Sequence, residues 1–121
     1  MPVPINIKLA ADTIAFILKD AGARLVFAEP GLRRLSLPGL RTIVFGGGND
    51  AFERFIDPGS FNAFEPAPDS IAVQPYTSGS TGQPHGVMVT HANLLHNSRA
   101  IHAVFRTSPD DRAVSWLPLH H

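Results

Sequence analysis

The sequence predicts an α/β fold: a layered, largely parallel sheet with flanking helices. Two patterns carry that expectation. Short apolar, β-prone runs recur at residues 24–28, 41–47, 70–76, 87–91 and 113–119, and stretches with helical periodicity alternate with them, as in parallel layered folds. A third observation is composition. Hydrophobic residues make up 44% of the 121 positions, enough for one domain with a modest core rather than a disordered chain.

Each element has its own justification. Residues 9–21, "LAADTIAFILKDA", place Ile14, Ile17, Leu18 and Ala21 at i, i+3, i+4 and i+7, one face of a helix. Asp12 lies near its start, and Gly22 stands just past its end, where a left-handed cap is expected. "RLVFA" at 24–28 reads as a strand broken by Glu29-Pro30-Gly31, and "RTIVFGG" at 41–47 as a second strand closed by glycines. Residues 49–69 read as a connection with one helical turn around Ala51–Phe55. "SIAVQPY" at 70–76 is a third strand and "VMVTH" at 87–91 a fourth. Thr90 or Asn93 can cap a helix over 92–106 with Leu94, Leu95, Ile101 and Phe105 on its inward side. Pro109-Asp110-Asp111 is a turn, and "AVSWLPL" at 113–119 is the last strand. The chain opens on a Pro-rich, strand-like segment and stops at His120-His121, where such a fold places its next functional loop. Residues 1–121 are therefore expected to be part of a larger domain, truncated at both ends. Unpaired edges and uncovered apolar faces should then make the chain prone to aggregate.

Composition narrows the function. Ten basic residues balance ten acidic ones, which argues against a nucleic-acid footprint. With no cysteine, disulfides and thiolate metal sites are excluded. No apolar run reaches the roughly 18 residues of a membrane span, and the N-terminus lacks the pattern of a secretory signal; a cytoplasmic protein is expected. His91 and His96 are five apart, and His96 and His102 six apart, so neither pair shares a helix face as an i, i+4 pair does. Solvated helix histidines, not a metal site, are the expectation.

The chemistry-bearing stretch is "YTSGSTGQPHG", residues 76–86. Gly79 and Gly82 permit positive φ and close backbone approach to a ligand. Successive N–H groups in such a turn form a nest that binds anions, and Thr77, Ser78, Ser80 and Thr81 add hydroxyl donors. A loop of this kind after a strand suits a phosphate. It is neither G-x-x-x-x-G-K-S/T, since no Gly-Lys pair occurs, nor G-x-G-x-x-G. The same composition also suits a flexible Ser/Gly connection, and the residues alone leave the two open.

The longer stretch "YTSGSTGQPHGVMVTHANLL", residues 76–95, resembles the signature of the adenylate-forming (AMP-dependent synthetase/ligase) superfamily: YTSGSTGxPKGV, a strand, then T/S-H-x-N-L. Every element is present except the lysine, replaced here by His85. Residues 4–29 are similar to the upstream segment of acyl-CoA synthetases. "SWLPLHH" at 115–121 resembles a later motif that in fatty acyl-AMP ligases continues as His-Asp-Met-Gly.

The resemblance implies that residues 1–121 are a fragment of the large N-terminal AMP-binding domain of such an enzyme. It implies attack of a carboxylate, from a fatty acid, on ATP assisted by Mg²⁺, giving an acyl-adenylate and pyrophosphate, then transfer to CoA. In the fatty acyl-AMP ligase alternative the acceptor is the phosphopantetheine of an acyl carrier protein; Asp-Met-Gly after His121 would favour it. By resemblance Thr77, Ser78, Gly79, Ser80, Thr81 and Gly82 hold the β- and γ-phosphates, and His85 lies beside them in place of a permanent cation. His121 lines the junction of acyl pocket and nucleotide, and Tyr76 packs at the strand end. A neutral imidazole offers one donor and no charge, so weaker ATP binding than in a His85→Lys variant is expected. The family's adenine loop, ribose-binding aspartate and catalytic lysine all lie beyond His121. Adenylation by the 121 residues alone is therefore not expected, and an inactive remnant is the third reading.

Overall fold

The first helix, α1, spans Ala11–Asp20 and is set by its apolar stripe: Ile14, Ile17 and Leu18 are buried on one face. No side chain caps Ala10. Instead Asp12, in the first turn, accepts from the Thr13 N–H at 2.8 Å, where its charge also suits the helix dipole. The helix ends as the sequence predicts. Gly22 adopts φ 61°, the Ala23 N–H reaches back to the Leu18 carbonyl at 2.9 Å, and the Gly22 N–H reaches the Lys19 carbonyl at 3.1 Å. This reciprocal closure satisfies the last carbonyls and requires the left-handed residue at position 22.

The computed structural model describes residues 1–32, 37–46, 52–78 and 82–112. The strand predicted at 113–119 lies outside them. The chain divides into two compact units, Lys8–Ala63, and Met1–Ile7 together with Phe64–His121.

In the unit Lys8–Ala63, strand β1 (Leu25–Ala28) pairs in parallel with β2 (Arg41–Val44), Phe27 opposite Ile43 and Ala28 opposite Val44. The bonds Arg41 N–H to Arg24 carbonyl (2.9 Å) and Phe45 N–H to Ala28 carbonyl (3.0 Å) close the ladder. Alternation places Phe27, Ile43 and Phe45 on one face. Phe52 and Phe55, from the short helix α2 (Phe52–Phe55), pack edge-on against Phe27 with ring centroids 5.7 and 5.3 Å away. Among the described residues, Ile14, Ile17, Leu18, Ala28, Ile43 and Val44 are the buried hydrophobic ones, all within this unit.

In the second unit, β3 (Ile71–Val73) pairs antiparallel with β6 (Val89–Thr90) through a bulge between Ile71 and Val73. β4 (Tyr76–Ser78) pairs antiparallel with β5 (Pro84–Gly86). Helix α3 (His91–Phe105) follows β6 directly. The architecture is α/β as expected. Among the described residues, parallel pairing is confined to β1–β2, and the other two pairs are antiparallel.

Three expectations change in detail. The run 70–76 is two strands, because Pro75 has no N–H for a ladder and the Gln74 N–H turns instead to the Pro2 carbonyl at 3.0 Å. The strand expected at 87–91 shrinks to Val89–Thr90, while Pro84–Gly86, read as loop, pairs as a strand. The inward face expected for α3 is uncovered: Leu94 is 43% exposed, Leu95 53%, Ile101 46% and Phe105 73%. Helical spacing produces the apolar stripe, but burial depends on what lies opposite it. No helix among the described residues is long and apolar enough to cross a membrane.

Candidate functional site: the β4–β5 hairpin

Register defines this site. Tyr76 pairs with Gly86, Thr77 with His85 and Ser78 with Pro84. Residues 79–83 connect the strands. Directly opposed residues project to the same face of a sheet, so Thr77 and His85 share one face and Tyr76 and Gly86 the other. Both Thr77 and His85 are exposed. Gly82 adopts φ 85°, and a Cβ built there would meet nothing within 4 Å. Glycine is needed at position 82 for its backbone conformation alone. Of the residues singled out in the sequence, Thr77, Ser78, Gly82 and His85 fall on this hairpin. Gly79, Ser80, Thr81 and His121 lie outside the described residues.

The hairpin base is tied down on several sides. The Val87 N–H donates to the Pro75 carbonyl at 2.8 Å. On the Tyr76 face, Gln74 Nε2 donates to the Tyr76 hydroxyl at 3.3 Å in a half-buried contact. Sequence reasoning missed Gln74 and Gly86. The i, i+2 spacing of Gln74 and Tyr76 was the available signal, since it puts two side chains on one face of an extended segment.

The start of α3, next along the chain, is chemically closed. Thr90 is the N-cap, and Asn93 answers it: the Asn93 N–H donates to Thr90 Oγ1 at 3.2 Å and the Thr90 N–H donates to Asn93 Oδ1 at 3.0 Å. The sequence left Thr90 and Asn93 as alternative caps; they are the two halves of one capping box. The His91 N–H donates to the Ser70 carbonyl at 3.1 Å and the Ala92 N–H to the Pro68 carbonyl at 2.8 Å. Helix amides that often hold phosphates therefore already have protein partners here.

A model of the AMP-binding enzyme family matches residues 1–121. The chain belongs to that family. Among its relatives, long chain acyl-CoA synthetase 7, peroxisomal, of Arabidopsis thaliana is 31% identical over 143 residues, covering 98% of the chain and 20% of that protein. A medium-chain-fatty-acid–acyl-carrier-protein ligase, TtuA, of Teredinibacter turnerae is 36% identical over 104 residues, covering 86% of the chain and 15% of that protein. Among solved structures, an ATP-bound RpMatB-BxBclM chimera superposes with TM-score 0.84 at 26% identity, covering 98% of the chain and 25% of the chimera. The chain thus spans a quarter or less of the length of these three proteins.

Proposed function

We propose that this chain is the polyphosphate-gripping part of an AMP-forming ligase that activates a carboxylic acid, with a fatty acid as the substrate class and CoA as the acceptor. Residues 1–121 form part of its adenylation domain. A carboxylate oxygen attacks the α-phosphorus of ATP, the bond from that phosphorus to the bridging oxygen breaks, and pyrophosphate leaves with the electron pair. The thiol sulfur then attacks the acyl carbon, its proton passes to solvent, and AMP departs.

In this reading Thr77, Ser78, Gly79, Ser80, Thr81 and Gly82 donate to the β- and γ-phosphates, where charge grows as pyrophosphate forms. Mg²⁺ carried in with the nucleotide shares that charge. His85, across from Thr77, supplies a further donor. His121 is assigned to the junction between acyl pocket and nucleotide on the motif resemblance alone. The observation that carries the proposal is the hairpin geometry, with Gly82 at φ 85° and His85 opposite Thr77, in a chain whose whole length matches the AMP-binding family.

The relative that names an acyl-carrier-protein ligase is the more identical of the two curated proteins described, at 36%, and favours a second acceptor, a carrier-protein phosphopantetheine thiol. The first step and the role of the hairpin are common to both. Titrating the chain with ATP while following backbone amide resonances tests that role. Shifts centred on residues 77–86 are expected. Unmoved hairpin amides at millimolar ATP would refute it.

A further inference from the structure

Gly86 is a glycine for a reason unlike that of Gly82. Among the described residues the glycines with positive φ are Gly22, Gly39, Gly46 and Gly82, so no left-handed backbone demands glycine at 86. The room that glycine leaves there is taken by two side chains. A Cβ at Gly86 would overlap Gln74 Nε2 and come within 3.1 Å of both Gln74 Cδ and Tyr76 Cζ. The Tyr76 ring thus lies across Gly86, its cross-strand partner, with the Gln74 amide wedged beside it and hydrogen-bonded to the ring hydroxyl at 3.3 Å. The Gln74 backbone is itself held, through its N–H, to the Pro2 carbonyl at 3.0 Å.

We propose that Gln74 is a positioning residue. With Tyr76 and Gly86 it forms an interlock that fixes the register of the hairpin and so keeps Thr77 and His85 together on the face they present to a polyphosphate. The inference rests on the reading of the hairpin as a polyphosphate grip. Two strands of three residues are marginal on their own, and a slip of one strand by one residue would put Thr77 and His85 on opposite faces. A side chain on the Tyr76 face can oppose the slip without blocking the ligand. Gln74 fits that role: a fixed base, an amide that reaches the ring, and a glycine that leaves it room.

The test compares Gly86→Ala, Gln74→Ala and the double variant with the wild-type chain. Two readouts are used, the cross-strand proton contacts of the Thr77/His85 pair without ligand and the dissociation constant for ATP. Gly86→Ala should push aside the Gln74 amide, the flexible end of its side chain, and so weaken the cross-strand contacts and ATP binding about threefold, roughly 0.65 kcal/mol. Gln74→Ala should do the same, with hydrogen-exchange protection in Lys8–Ala63 unchanged. The double variant should be no worse than either single one, because both break the same interlock. Additive losses in the double variant, or wild-type affinity in Gln74→Ala, overturn the proposal. If the wild-type chain binds no ATP while the cross-strand contacts weaken as described, the grip reading fails and the interlock stands.

Discussion

Replacing Ile17 by alanine tests the account of the buried core. The side chain is 1% exposed and lies in the core with Ile14, Leu18, Ala28, Ile43 and Val44. Truncation removes three carbons, worth roughly 2.4 kcal/mol at about 0.8 kcal/mol per methylene. The cavity left behind raises the total to about 3–4 kcal/mol, inside the range of about 2–5 found for such changes. A core in a unit as small as Lys8–Ala63 supplies about 3–5 kcal/mol, so the variant should sit near its own unfolding midpoint. Hydrogen exchange reads this directly. The Arg41 and Phe45 amides, which bond to the Arg24 and Ala28 carbonyls, should lose nearly all protection. Ile56→Ala is the control: that side chain is 50% exposed, and its loss should cost under about 1 kcal/mol. If Ile17→Ala lowers protection at Arg41 and Phe45 by less than about 1 kcal/mol, the burial argument is wrong.

Two further outcomes follow from single positions. His85→Lys places a permanent cation on the exposed strand position opposite Thr77. It should tighten ATP binding by about 0.2–1 kcal/mol, as befits a solvent-screened charge. Calorimetric titration of both forms with ATP checks the sign, and equal affinities would contradict it. Arg106 closes α3 with φ 51° and ψ 41°, a left-handed conformation that costs a non-glycine residue about 1–2 kcal/mol. Arg106→Gly should therefore stabilise the end of α3 by up to about 1 kcal/mol, read as slower exchange of the Arg106 amide bonded to the His102 carbonyl.

The sequence made some of this fold plain, because the information was local. The stripe of α1 and its Gly22 stop, β1, β2, the turn at Phe52–Phe55 and the start of α3 all follow from periodicity or capping chemistry within one turn or strand. What stayed hidden depends on partners distant in the chain. Pro84, His85 and Gly86 have poor strand propensity, and pairing with Tyr76–Ser78 imposes the strand on them. Pro75 divides one apolar run into two strands because Gln74 finds its partner at Pro2. The hydroxyl- and glycine-rich stretch was legible as a candidate grip, and Gly82 bears out its expected positive φ. The opposition of Thr77 and His85 was not, since register depends on where the turn closes. Nor was the role of Gly86, which is visible only once Gln74 and Tyr76 stand beside it.

The capping box and the two carbonyls that meet the first turn of α3 have a consequence for how this unit can be altered. With Thr90, Ser70 and Pro68 occupying those amides, the macrodipole of α3 has no exposed donor pair through which to recruit a charged ligand. Helix and hairpin can thus be redesigned separately: lengthening or recharging α3 beyond Asn93 should leave anion affinity unmoved, whereas one substitution at the strand pair Tyr76/Gly86 should alter it.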